Sequence, residues 1–396
     1  MLEVKKSILF YTQVCYLDIA LEYIRLITPS FHVHVVIELP ASMRRSNILD
    51  INVNLAAYGP IVSYREVKHA WNIGYLGKYL EHCATVHFAV YPSNRFTDLF
   101  RTSRSLIALF NRLTIDYYHL DDLSPRLLLL IPHLFRVRKK LILNVHDPKQ
   151  HKGEFEMKRY LLKSFFFRFV DKYMVYSVYS KTCLSEIMAG HKKQIVSLKM
   201  MPYTVFSVFK PAGYRIDPED YMISFIGRIS TYKGIEVFIE AAKIVNGHFP
   251  QQKFMVAGKR VVNYHLDYSA EDLRKFNILL KEKYLSNREL TSIVLDSSII
   301  VCPYQEATQS GVVMTAHALE RPVLVTNCGG LPENIEHGET GLIAAHTSAE
   351  SVAENILYYL RNDLFKKMEV AIHKKNGNKT IKAYNLNEVR QLYSPS

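Results

Sequence analysis

Nowhere does this sequence hold an apolar run near the roughly 18 residues that a membrane-spanning helix needs, so a spanning segment is not expected. Its first residues carry only a strand-length apolar run with Asp18 close behind, unlike a secretory leader. A cytoplasmic protein is predicted. The five cysteines, Cys15, Cys83, Cys183, Cys302 and Cys328, are odd in number, scattered and mostly set in apolar patterns. That spacing supports neither a disulfide framework nor a zinc site, and it fits a reducing compartment. No internal repeat or low-complexity tract is present. Acidic residues are also in short supply: 37 Asp and Glu face 50 Lys and Arg, a formal charge of +13. Such an excess restricts partners to anionic ones, namely nucleic acid, anionic lipid or phosphorylated substrates.

What is present is an alternation of short apolar, β-branched runs with helical spacing. Ser7 to Tyr11, His34 to Glu38, Thr85 to Tyr91, Leu141 to Val145, Lys172 to Tyr176 and Ile195 to Met200 read as strands. Between them, helical patterns run around Leu17 to Leu26, Asp98 to Leu113 and Thr182 to Met188. Strands alternating with helices predict an α/β fold with parallel sheets covered on both faces. The 396 residues, 48% hydrophobic, suffice for two cores. We expect two doubly wound, Rossmann-like domains, residues 1–205 and 206–380, and a terminal segment 381–396. Turn formers between Met201-Pro202 and Lys210-Pro211 mark the hinge.

Two strand-to-helix turns in the second half carry the chemistry. The first follows the strand pattern Tyr221 to Gly227, where Arg228 and Lys233 flank a turn that leads through Gly234 into a helix from Ile235. Guanidinium offers forked hydrogen bonds to phosphate oxygens, and ammonium adds a compact charge. Taken singly, each is an ordinary surface cation. The second turn follows the run Ser297 to Pro303 and passes through Glu306, Thr308, Gln309, Ser310 and Gly311 into helical spacing. A helix opening on Ser310-Gly311 aims its unpaired N–H groups and positive dipole end at the space above the strands, and Gly311 lets an anion approach closely. After it come another strand, a Gly-Gly turn and an expected helix in which Glu333 would be a first-turn acid.

Together, FIGRISTYKGIEVFIEAAKIV, KFMVAGK, EATQSG, ERPVLVTNCGGLPE and HGETGLI occur in an order that resembles the nucleotide-sugar half of glycosyltransferase family 4, whose fold is GT-B. The chain is similar in particular to bacterial enzymes of O-antigen, capsule or exopolysaccharide synthesis that carry an ATQSG loop and an HDP segment, here Ala307 to Gly311 and His146-Asp147-Pro148. The resemblance implies retaining transfer from a nucleotide-diphosphate sugar to a saccharide or lipid-linked saccharide acceptor, with the leaving phosphate taking the acceptor's proton. It gives Gly227, Arg228, Lys233, Gln309, Ser310, Gly311 and Thr315 to the nucleotide diphosphate. His146, at the end of a first-half strand, is implied to touch donor sugar and phosphate, with His151 a weaker candidate. The resemblance also implies a last helix crossing back to the first domain. No Asp-x-Asp pair of the family kind is found, so no metal and no other cofactor is expected. One departure stands out. Family members often carry Glu-x7-Glu, for donor sugar and ribose; here Thr315 falls at the second position, and Glu306 matches the first only with a one-residue gap.

In the first half, Arg136 to Lys140 and Lys158 to Tyr173 mix cations with Leu, Phe and Tyr. Tyr160, Leu161, Phe165 and Phe169 can share one helical face, the pattern of a helix at an anionic membrane surface, whereas Phe166, Phe167 and Val170 read as core. The expected partners are therefore a nucleotide-sugar donor, a saccharide acceptor and an anionic membrane, without nucleic acid; the enzyme would sit on the inner face of the cell membrane. The alternatives are a GT-B nucleotide-sugar epimerase and a basic nucleic-acid-binding protein.

Overall fold

A computed structural model describes residues 5–45, 48–150, 156–214, 216, 220–262, 264–376 and 380–394. His151 lies outside the described residues. The first sheet is built from β1 (Ser7–Gln13), β2 (His32–Pro40), β3 (Ile61–Ser63), β4 (Thr85–Tyr91), β5 (Tyr117–Asp121), β6 (Leu141–Asn144), β7 (Lys172–Val175) and β8 (Gln194–Ser197). The second contains β9 (Met222–Ile226), β10 (Lys253–Ala257), β11 (Ile278–Lys281), β12 (Ser297–Cys302), β13 (Val323–Thr326) and β14 (Gly341–Ala344).

The strand orders are β3-β4-β2-β1-β5-β6-β7-β8 and β11-β10-β9-β12-β13-β14. All described pairings are parallel except β3 with β4. Each sheet reverses its winding beside its first strand, β1 or β9, and the crevice at such a point is where doubly wound sheets bind ligands. The predicted α/β class, two Rossmann-like halves, is what the chain adopts.

Alternate residues of the first sheet serve two layers. Ile8, Phe10, Val35 and Ile142 face the helix Leu17–Ile27, while Leu9, Tyr11, Val36, Leu120 and Leu143 face Leu106, Phe110, Leu134, Phe166 and Leu184 of the opposite helices. The helix Thr380–Leu392 leaves the second domain and packs on β7, β8 and Leu17–Ile27. Tyr393 behind it is fully sequestered, with its hydroxyl 2.6 Å from His119 Nδ1 and 2.9 Å from the Tyr23 hydroxyl.

Two expectations are corrected. No α-helix follows the Gly-Gly turn; Pro332–Asn334 forms a single 3-10 turn before β14. The strands β3, β5, β11 and β14 also lie in stretches where no strand was anticipated.

Candidate active site

The motif turns of the two domains meet. On the second domain, β9 ends in Gly227, and a Cβ built there would lie 3.7 Å from Val312, so the Arg228 turn sits against the first turn of the helix Gly311–Ala318. Gly234 is left-handed (φ 67°), and any side chain on it would strike the Pro303 carbonyl oxygen at 2.0 Å. Only glycine lets this turn close onto the end of β12. Its closure sets Lys233 Nζ 3.7 Å above the buried Tyr304 ring. The Tyr304 hydroxyl in turn receives a hydrogen bond of 3.4 Å from Ser310, the N-cap of the helix Gly311–Ala318. Arg228 is exposed and donates to the Tyr232 hydroxyl at 2.9 Å. Ser310 makes no side-chain capping bond, so its oxygen does not occupy the amides of the first turn.

On the first domain, His146 follows β6 and is almost completely sequestered. Nε2 donates to Asp121 Oδ1 at 2.8 Å; that carboxylate also accepts from Asn144 at 2.6 Å and from Thr12 at 2.6 Å. Burial works most strongly against a charge on His146, but the carboxylates of Asp121, Asp122 and Asp147 together outweigh it, so its pKa is raised. Burial likewise opposes the Asp121 charge, yet His146, Thr12 and Asn144 hold its pKa below the carboxylate norm. The two form a buried, hydrogen-bonded pair in which each favours the charged form of the other. Tyr16 stacks on the imidazole at 3.9 Å and 5°, and its hydroxyl contacts Asp122 at 3.4 Å and Arg159 at 3.3 Å. Asp122 itself is left-handed at φ 65°, an uncommon conformation of the kind found at functional sites.

The cleft is then bridged. Gln309 Nε2 lies 2.9 Å from His146 Nδ1, Thr308 donates to the Asp147 carboxylate, and Ser177 donates to the Thr308 carbonyl at 2.9 Å. Glu333 crosses as well: its carboxylate accepts from the amides of Val178 at 2.7 Å and Tyr179 at 2.8 Å, capping the helix Val178–Ile187 of the other domain. The α-helix in which it was expected as a first-turn acid does not form; Glu333 instead caps a helix more than 140 residues away in sequence.

His146, Gly227, Arg228, Lys233, Gln309, Ser310 and Gly311 are thus brought to one region. Gly311 is packed so that a Cβ would meet the Tyr203 ring at 3.1 Å. Glu306 is half-buried at the loop's entry, where its charge adds to the effect of burial in raising the Cys328 thiol. Thr315 is buried one turn inside the helix, and its hydroxyl donates back to the Gly311 carbonyl at 2.9 Å. Sequence reasoning passed over Asp121, Thr12 and Asn144. Asn144 carried a signal, a lone amide inside the apolar run Leu141 to Val145. A cavity of about 1080 Å³, lined by Lys199, Met314, Glu333 and Lys375 among others, lies behind the loop and contains neither His146 nor Arg228. The convergence of charge, rather than enclosed volume, marks the site. Among the described residues, no three His, Cys, Asp or Glu side chains cluster as a metal site would need.

Residues 209–379 match the family model for glycosyl transferases group 1. A D-inositol 3-phosphate glycosyltransferase of Paenarthrobacter aurescens is 27% identical over 153 residues, covering 36% of this chain and 38% of that protein. The capsular polysaccharide biosynthesis glycosyltransferase CapM of Staphylococcus aureus is 29% identical over 140 residues, covering 35% of this chain and 36% of that protein. Both alignments span little more than a third of the relative's own length. The whole fold is shared with Anabaena HepE, solved with UDP and glucose: TM-score 0.64 over 98% of this chain and 99% of that one, at 14% identity.

Proposed function

We propose that the chain is a retaining glycosyltransferase of family 4 that needs no metal, moving a sugar from a nucleotide diphosphate to a membrane-presented saccharide in the synthesis of a cell-surface polysaccharide. The observation that carries this reading is the convergence of Arg228, Lys233 and the open start of Gly311–Ala318 within a segment matching group 1 glycosyl transferases, facing the buried His146. The CapM likeness favours a surface polysaccharide, and the ATQSG and HDP segments favour family 4.

The chemistry follows from charge. As the bond from the anomeric carbon to the diphosphate breaks, the electron pair passes to the phosphate oxygen and positive charge grows on the sugar. Arg228, Lys233 and the helix amides take up the former without reorganising. The acceptor hydroxyl attacks from the same face, and its proton passes to the departing phosphate, so the protein supplies no base. His146, whose pKa Asp121 helps to raise, adds positive charge beside the phosphates in its protonated form when Gln309 yields to the donor. Glu306 is assigned to the donor-sugar hydroxyls. Thr315, its hydroxyl engaged by Gly311, is left with a weak hold on the ribose.

A thermal-shift series with UDP, GDP, ADP and their sugars tests the reading, since a ligand at 100 times its dissociation constant stabilises by about 2.7 kcal/mol. Stabilisation by one nucleotide, lost in Arg228→Ala and Lys233→Ala, is expected. Indifference to all of them overturns it. Conversion of the donor to an epimeric sugar without an acceptor would favour the epimerase reading.

A further inference from the structure

The helices that follow β4, β5, β6 and β7 all cover one face of the first sheet, as their shared apolar core requires. In a parallel sheet each such helix begins at the strand's C-terminal end, which is the cleft end. Large apolar side chains stand exposed at these beginnings. Phe96 and Phe100 open the helix Phe96–Arg112, Leu128 sits on the turn Pro125–Leu130, and Tyr160 and Leu161 lie in the first turns of Met157–Phe169. Phe96 is 68% and Leu161 59% exposed, so these side chains project instead of lying flat.

The pattern is helical and charged. Phe96, Phe100 and Arg104 follow one another at i, i+4 and i+8, and Leu161, Phe165 and Arg168 at i, i+4 and i+7. Phe166 and Phe167 fill the core, so the aromatic wealth of this helix divides between two sides. Phe135 joins the face, 6.2 Å from Phe169 and with Arg138 over its ring at 5.0 Å. Exposed Arg101, Lys139 and Lys158 add cations.

We propose that this helical layer is a docking surface for an anionic bilayer leaflet, with its most apolar edge at the rim of the cleft. Projecting apolar side chains interleaved with cations match acyl chains beneath anionic headgroups. The helix Met157–Phe169 also reaches the site: Lys163 donates to the Asp147 carbonyl and Arg159 to the Tyr16 hydroxyl. A docked surface would therefore present a lipid-borne acceptor to the rim beside His146. The inference rests on the membrane-presented acceptor of the proposed function, which it deepens by naming the surface.

The test is sedimentation of the full chain with vesicles of phosphatidylcholine containing phosphatidylglycerol, and with vesicles of phosphatidylcholine alone. Binding to the anionic vesicles only, weakened by salt, is expected. The variant F96S/F100S/L161S/F165S should lower partitioning by roughly a hundredfold, while Tyr358→Ser, on an exposed site of the second domain, should change nothing. Stabilisation by the nucleotide to which the wild type responds in the thermal-shift series is measured on the same samples: loss of vesicle binding with that response retained supports the surface and shows a folded site. Equal binding by the four-fold variant, equal binding to neutral vesicles, or a dimer in light scattering that the same substitutions abolish would overturn it. A wild type that ignores UDP, GDP, ADP and their sugars alike yet binds anionic vesicles would instead count against the transferase reading.

Discussion

Gln309 reaches across the cleft to His146, its side-chain nitrogen 2.9 Å from Nδ1, while Nε2 on the far side of the same ring is held by Asp121 at 2.8 Å. The imidazole is thus fixed at both ends, one inside each domain. In the neutral ring Nδ1 accepts from the amide; in the cation it donates, so Gln309 turns its oxygen inward.

Gln309→Ala removes this bridge. A neutral hydrogen bond contributes about 1 kcal/mol net, so the melting temperature should fall slightly. Transfer should suffer more, through loss of closure, and solution scattering should report a wider domain angle. An unchanged scattering profile with full activity would place closure elsewhere.

Asp121→Asn tests the ion pair. The raised pKa of His146 contributes stability that is complete below its unfolded value and is lost as pH rises through the folded value. The lowered pKa of Asp121 contributes stability present above its unfolded value and lost as pH falls through the folded one. The pair is therefore worth most between about pH 4 and pH 6.5, and breaking a buried pair costs about 3–5 kcal/mol. Denaturation of wild type and variant across pH should show the gap closing at both ends. Nitrogen NMR of His146 should show its titration moving to lower pH in the variant.

Lys233→Ala and Arg228→Ala should each lower kcat by about 10²–10³, the usual loss of one donor from a charge-stabilising site. Melting temperatures should barely move, because both residues lie at a turn outside the cores. Lys233→Arg is not conservative here, since the ammonium is seated over the Tyr304 ring in a space built for a compact charge. Turnover equal to wild type in both alanine variants would remove the diphosphate assignment.

On the proposed mechanism, in which fixed cations and helix amides take the metal's role, removing divalent ions with a chelator should leave turnover within about twofold. Strict dependence on magnesium or manganese would contradict that mechanism.

Glu333→Ala takes away a cap from the helix Val178–Ile187, a change that costs about 1 kcal/mol. Because cap and helix belong to different domains, part of the loss should appear as opening instead of unfolding. Glu333→Gln, which keeps an acceptor, should recover about half. Hydrogen exchange at the amides of Val178 and Tyr179 reads this directly.

The second domain was the more legible half. Its motifs are local: β9 ends in a glycine turn, the turn carries two cations, and the next helix opens on Ser310-Gly311, all within spans that periodicity and turn chemistry describe. The strand β5 escaped because Tyr117-Tyr-His-Leu-Asp121 mixes buried His119 and Asp121 into a sequence that looks half polar. A central strand is recognised by continuous apolarity, and the site demanded otherwise. The Gly-Gly turn misled in the opposite sense. Pro332 and Glu333 look like a helix start, yet the acid serves another helix.

By itself the sequence determined the α/β class, two parallel-sheet halves, and the strand-to-helix turns at Gly227 to Gly234 and Gln309 to Gly311. These are decided by side-chain period and glycine geometry within about a dozen residues. Only the tertiary structure decided that Asp121 holds His146, that Gln309 closes on it, that Thr315 turns its hydroxyl to its own helix, and that Glu333 caps the opposite domain. Except for Thr315, those partners lie some 25 to 163 residues apart; a buried polar group takes whichever partner the packing brings within reach, and no local pattern encodes that choice.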